Sequence, residues 1–141
     1  MATITLSDIE KALRSGWGAD TCAPEDVGGW RPDNPARGQC GVTALIVNDL
    51  LGGELVRGEV RVEGELADYH WWNRFAGVEV DLTREQFGPE ERVGPGTIVE
   101  RPPGPPGRCR EQYELLRHRA LTHLGLPAED AEAGQPGSAE R

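Results

Sequence analysis

The stretch "QCGVTALIVNDLLGG" (residues 39–53) decides how the rest of the chain must be arranged. Its first thirteen residues, 39–51, are apolar on most faces, a pattern that predicts a helix buried centrally rather than laid on a surface. Gly52 and Gly53 stop that helix, since glycine tolerates the backbone turn that follows a last helical residue. Cys40 therefore stands at or just before the first turn of a central helix. Such a helix needs cover on several sides, and the flanking segments must supply it.

On the N-terminal side, Ser7 and Glu10 have S-x-x-E capping-box spacing ahead of "DIEKALRSGW". Ile9, Leu13 and Trp17 then recur at four-residue steps and mark one helical face. Residues 18–38 are dense in Gly, Pro, Asp and Asn and read as a loop, with Trp30 expected to pin it to the core. On the C-terminal side, residues 54–62 alternate apolar and charged side chains, with Gly58 as a possible bulge. Residues 68–75 form an aromatic-rich strand candidate, and 78–83 alternate again. Ala76 and Gly77 between them suit a tight hairpin.

Residues 88–108 break the pattern, and the double Pro-Pro-Gly run at 101–107 is expected to be an extended surface connection. Residues 108–125 read as another helix, with Tyr113, Leu116, Ala120 and Leu124 on one face and Gly125 ending it. One domain over 1–126 follows, with 127–141 a small, polar, acidic tail expected to be disordered.

Composition narrows the functional classes. A chain of 141 residues with 37% hydrophobic content can bury a single core. Its net charge of −9 disfavours nucleic acid as a partner, because the Lys and Arg clusters that phosphate backbones attract are missing. No apolar run has the length to span a bilayer, and the first residues lack a signal-peptide core, so a cytoplasmic protein without membrane contact is expected. Cys22, Cys40 and Cys109 are widely spaced and do not join His70, His118 or His123 at zinc-site spacing. Neither a metal nor another cofactor is expected, nor a disulfide framework. The oligomeric state is left open.

A thiol becomes a useful nucleophile where a helix N-terminus and an imidazole lower its pKa. Cys40 has the helix, and His70 in the aromatic strand is the histidine placed to serve it; His118 and His123 fall among arginines as solvated or helix-end side chains. Asp81 is the candidate to hold the second imidazole nitrogen. A hairpin turn at 75–76 would set Asp81 opposite His70, and one at 76–77 would make them diagonal neighbours; both put the two side chains on one face. Asn73, the other possible orienter, points away from that face. Gln39 and the Cys40 backbone N–H would serve a developing oxyanion, and Trp71 or Trp72, with Asn73 nearby, would wall a pocket.

Each residue also has a purely structural use. A free cysteine opening a buried helix is often only a small apolar residue, His70 can be a hydrogen-bonded core histidine, Asp81 can begin a turn, and large aromatics usually pack cores. The chain order Cys, His, Asp on helix, strand and adjacent strand favours a triad.

Together, "NPARGQCGVTALIVNDLLGGEL", "YHWWNR" and "EVDLTREQF" resemble the YunG-like family of small bacterial proteins, itself similar to papain-like and transglutaminase-like cysteine enzymes. The likeness covers roughly residues 28–125. It implies an α+β, papain-like core: a buried Cys-bearing helix packed on a small antiparallel sheet, with N- and C-terminal helices. It also implies Cys40 as nucleophile, His70 as base and Asp81 as orienter. Gln39 departs from the papain-like position of the oxyanion helper, which usually lies several residues earlier. The expected function is acyl transfer through a Cys40 thioester, on a small-molecule or peptide substrate with an acyl group, by hydrolysis or transfer to an amine. The alternatives are a non-catalytic binding module on the same fold, and redox sensing by Cys40 with Cys22 or Cys109.

Overall fold

The computed structural model describes residues 3–127; most of the expected C-terminal tail lies outside the described residues. The fold is α+β. Helix α1 (Leu6–Gly16) is followed by two 3-10 turns, then α2 (Cys40–Leu51), β1 (Glu54–Val62), β2 (Glu65–Phe75), β3 (Val78–Val80), a further 3-10 turn, β4 (Glu91–Val99) and α3 (Arg110–Leu124). The strands form one antiparallel sheet in the order β3-β2-β1-β4.

Helix α1 starts two residues earlier than the Ser7–Glu10 spacing implies. Thr5 is the N-cap, its hydroxyl accepting from the Asp8 backbone N–H while Asp8 accepts from the Thr5 N–H. Ser7 and Glu10 lie inside the helix, where Glu10 instead pairs with Arg14 one turn on. The predicted stripe is used for packing: Ile9 and Leu13 are fully buried, and the Trp17 indole N–H donates to Thr43 Oγ1 in α2 at 3.0 Å. Helices α1 and α3 pack together, and α2 packs on α3 and β2. Ile46 and Val47 of α2 meet Ile9, Leu116 and Ala120 in the helical core, so the central helix is covered as its composition demands. Trp30 is only partly buried, and its indole bonds Pro35 O within the same loop, closing the loop on itself.

Strand β4 is the element that periodicity hid. It runs through Gly94, Pro95 and Gly96, which read as breakers, yet it is an edge strand pairing β1 alone. Its register with β1 shifts between Gly58 and Val60, so Pro95 sits where a missing N–H breaks no ladder bond. The glycines have a packing reason. A Cβ on Gly96 would meet Val56 Cγ1 at 2.3 Å and Trp72 Cζ2 at 2.4 Å, and one on Gly58 would meet Trp72 Cη2 at 2.7 Å. Trp72 therefore lies flat across β1 and β4 in space that side chains would otherwise fill. Residues 101–107 carry no regular structure, as two Pro-Pro-Gly units require.

Candidate functional site

The hairpin between β2 and β3 turns at Ala76 and Gly77, both at positive φ (50° and 84°), with Phe75 opposite Val78. This is the second of the two registers expected, and it makes His70 and Asp81 diagonal neighbours. Strand β3 ends at Val80, so Asp81 is the first residue past the ladder. There its carboxylate accepts from His70 Nε2 at 2.7 Å, from Arg84 Nε at 2.6 Å and from the Thr83 backbone N–H at 3.2 Å. Burial alone would raise the Asp81 carboxyl, but the hydrogen bonds and charges of His70 and Arg84 outweigh it and hold it below the ordinary carboxylate value. An ionised Asp81 fixes the imidazole proton on Nε2 and leaves a lone pair on Nδ1.

His70 is fully buried, stacked on Trp72 at 5.3 Å between ring centroids and met edge-on by Phe87 at 4.8 Å. Its Nδ1 is buried and has no hydrogen-bond partner among the described residues. An orphaned acceptor of this kind is uncommon in a packed interior, and here it belongs to the ring whose other nitrogen is held by a carboxylate.

Cys40 begins α2 and is half-buried at the wall of a groove of about 550 Å³. Leu45, Leu55 and Val99 supply apolar wall, and Pro102 and Pro106 of the Pro-rich connection form part of the rim. Burial pushes the Cys40 thiol up to about 12; the Trp71 backbone N–H lowers it in part, and Asp68, Asp81 and Asp26 raise it further. The resting sulfur is thus a thiol, and no hydrogen bond joins it to His70. Strand β3 pairs only with residues 73–75 of β2, so the Trp71 N–H that acts on Cys40 lies beyond the end of that ladder, one residue from His70.

The other sequence candidates divide. Trp71 lines the groove, but Trp72 is on the His70 side, with its indole N–H on Glu79 at 2.8 Å, and stands outside the groove. Asn73 is buried and donates to Ala44 O at 3.0 Å, fastening β2 to α2. Gln39 is fully buried, its amide donating to Gly18 O at 2.9 Å and accepting from Thr21 Oγ1 at 2.8 Å. That commitment makes it a strut between α2 and the preceding loop, and we assign it no oxyanion role. Gln39→Leu should destabilise the fold by roughly 1–3 kcal/mol by removing two hydrogen bonds in a buried site, while Thr21 Oγ1 keeps its contacts with Gly18. A denaturant melt with unchanged midpoint would contradict this. His118 and His123 are exposed on α3, as expected.

Sequence reasoning missed Phe87 and Gln86. Phe87 both abuts His70 and lines the groove, and Gln86 accepts from the Gly38 N–H at 3.1 Å beside α2. Neither carries a sequence signal, because both act through tertiary placement of the loop after Asp81. Among the described residues, no three His, Cys, Asp or Glu side chains converge as metal ligands. No helix among the described residues is long and apolar enough to cross a membrane.

A family model described as "YunG protein" matches residues 5–125, and the chain belongs to that family. It is 32% identical over 82 residues to the Bacillus subtilis (strain 168) protein described as "Uncharacterized protein YunG", covering 58% of this chain and 63% of that relative. No solved structure matches the chain.

Proposed function

We propose that this YunG-family chain is a cysteine acyl-transfer enzyme with a papain-like disposition of Cys40, His70 and Asp81. The observation that carries the reading is the buried imidazole itself: Nε2–H held by Asp81 at 2.7 Å, Nδ1 unpaired among the described residues, and the ring abutting Phe87, which lines the groove that holds Cys40. In this reading the Cys40 thiol reaches Nδ1 through movement of its own side chain and of Phe87, which touches the imidazole and lines the groove. Sγ then attacks an amide, ester or thioester carbonyl while its proton passes to Nδ1, and Asp81 stabilises the imidazolium.

Collapse of the tetrahedral intermediate breaks the bond to the leaving group, which takes the proton back from Nδ1. Water or an amine then resolves the Cys40 thioester by the reverse steps. The oxyanion would be served by the first backbone N–H groups of α2, which have no capping side chain; the space above Gly41 is open.

Mild iodoacetamide treatment followed by mass spectrometry should label Cys40 ahead of Cys22 and Cys109. Cys22 is 1% exposed and its thiol is pushed up to about 11 by burial. Equal labelling, or none at Cys40 in the folded protein, would remove the nucleophile assignment. A binding module on the same fold is the second reading, favoured by the raised Cys40 thiol and by the lack of a Cys40–His70 hydrogen bond.

A further inference from the structure

The groove contains a cation with no partner among the described residues. Three arginines line it, and two are neutralised: Arg101 pairs with Asp49 at 2.7 Å, and Arg108 with Glu25. Arg57 forms no ion pair and no side-chain hydrogen bond among the described residues. It is nevertheless held in place. It projects from β1 opposite Trp71, and its guanidinium carbon lies 4.8 Å from the Tyr69 ring centroid and 5.8 Å from that of Trp71. Aromatic contact of this kind occupies the faces of the guanidinium and leaves the N–H fork on its edge free. Arg57, Tyr69 and Trp71 share the groove with Cys40.

An arginine pre-oriented by two rings, exposed and unpaired, has the geometry that receives a planar two-oxygen anion through parallel N–H bonds. We propose that Arg57 binds a carboxylate of the groove's ligand, so that the acyl donor for Cys40 carries a free carboxylate beyond its reacting carbonyl. The donor role rests on the acyl-transfer reading above; the carboxylate site does not. A singly charged carboxylate fits better than a phosphate. One arginine supplies one bidentate contact, and Asp68 and Glu100 on the same groove repel a dianion more strongly. The apolar wall of Leu45, Leu55 and Val99 suits an aliphatic or aromatic body attached to that carboxylate.

The test uses Cys40→Ser protein, which lacks the proposed nucleophile, so its outcome is independent of the triad. Hexanoate, hexanamide and hexyl phosphate are titrated while the Arg57 Nε–H and Trp71 indole resonances are followed by NMR. Hexanoate should bind about tenfold more tightly than hexanamide and shift the Arg57 resonance, as a charge-assisted pair implies. Arg57→Gln should abolish the difference, and Arg57→Lys should restore only part of it. Equal affinities, a preference surviving in Arg57→Gln, tighter binding of hexyl phosphate, or no binding at all would each overturn the proposal. Failure here leaves Cys40 reactivity toward iodoacetamide untouched, whereas failure of the triad leaves these titrations untouched.

Discussion

His70→Ala should slow alkylation of Cys40 by iodoacetamide at pH 7 by about 10²–10⁴-fold, the usual worth of a positioned proton acceptor. A thiol raised to about 12 is on the order of 10⁻⁵ thiolate at neutral pH, too little to react at a useful rate unaided. In the proposed mechanism the Nδ1 lone pair of His70 supplies the missing base. In His70→Ala that base is absent. The rate then rises tenfold per pH unit through the alkaline range, toward about 12, because only spontaneous ionisation remains.

Asp81→Asn should lose rate in the same direction. Its amide can donate to Nε2, which drives the ring proton to Nδ1 and removes the acceptor. Unchanged profiles in both variants, with the fold intact by circular dichroism, would show that His70 and Asp81 are structural and that the binding-module reading stands.

Trp72→Ala should cost about 3–5 kcal/mol of folding stability, the range for deleting a buried tryptophan. The ring is 3% exposed, spans the glycines of β1 and β4, stacks on His70 and donates to Glu79. Its loss leaves a cavity between the sheet and the imidazole that no neighbouring backbone can close. In urea the midpoint should fall with little change in slope, since the same surface is exposed on unfolding.

Gly96→Ala tests the same contact from the other side. Its Cβ would overlap Trp72 and Val56, at about 1–3 kcal/mol for overpacking. The two changes share a partner, so the double variant should be less destabilised than their sum. Strict additivity would show that Trp72 does not dictate the glycine.

Local chemistry accounts for the features that are legible along the linear chain. The apolar run 42–47 demands burial on several sides, and α2 is buried in the helical core. Period-two alternation places β1 to the residue, and the small turn residues Ala76 and Gly77 place the hairpin. Because side-chain direction in a strand depends only on parity, the His70–Asp81 pairing follows from that turn. Strand β4 is illegible for the converse reason. Proline and glycine oppose a strand by propensity, and only an edge position with a bulge makes them acceptable there.

Beyond the α+β class, which the family resemblance implied, the sequence by itself thus determined the central cysteine helix and the pairing of an imidazole with a carboxylate eleven residues on. Each of these depends on contacts within a helix, a hairpin or a few residues of chain. The tertiary structure alone decided which tryptophan faces the groove, that Gln39 is a strut, that Phe87 abuts the imidazole, and that Arg57 is the groove arginine without a partner among the described residues. Those assignments join residues from distant segments, where packing and charge neutralisation are settled by the assembled core rather than by spacing along the chain.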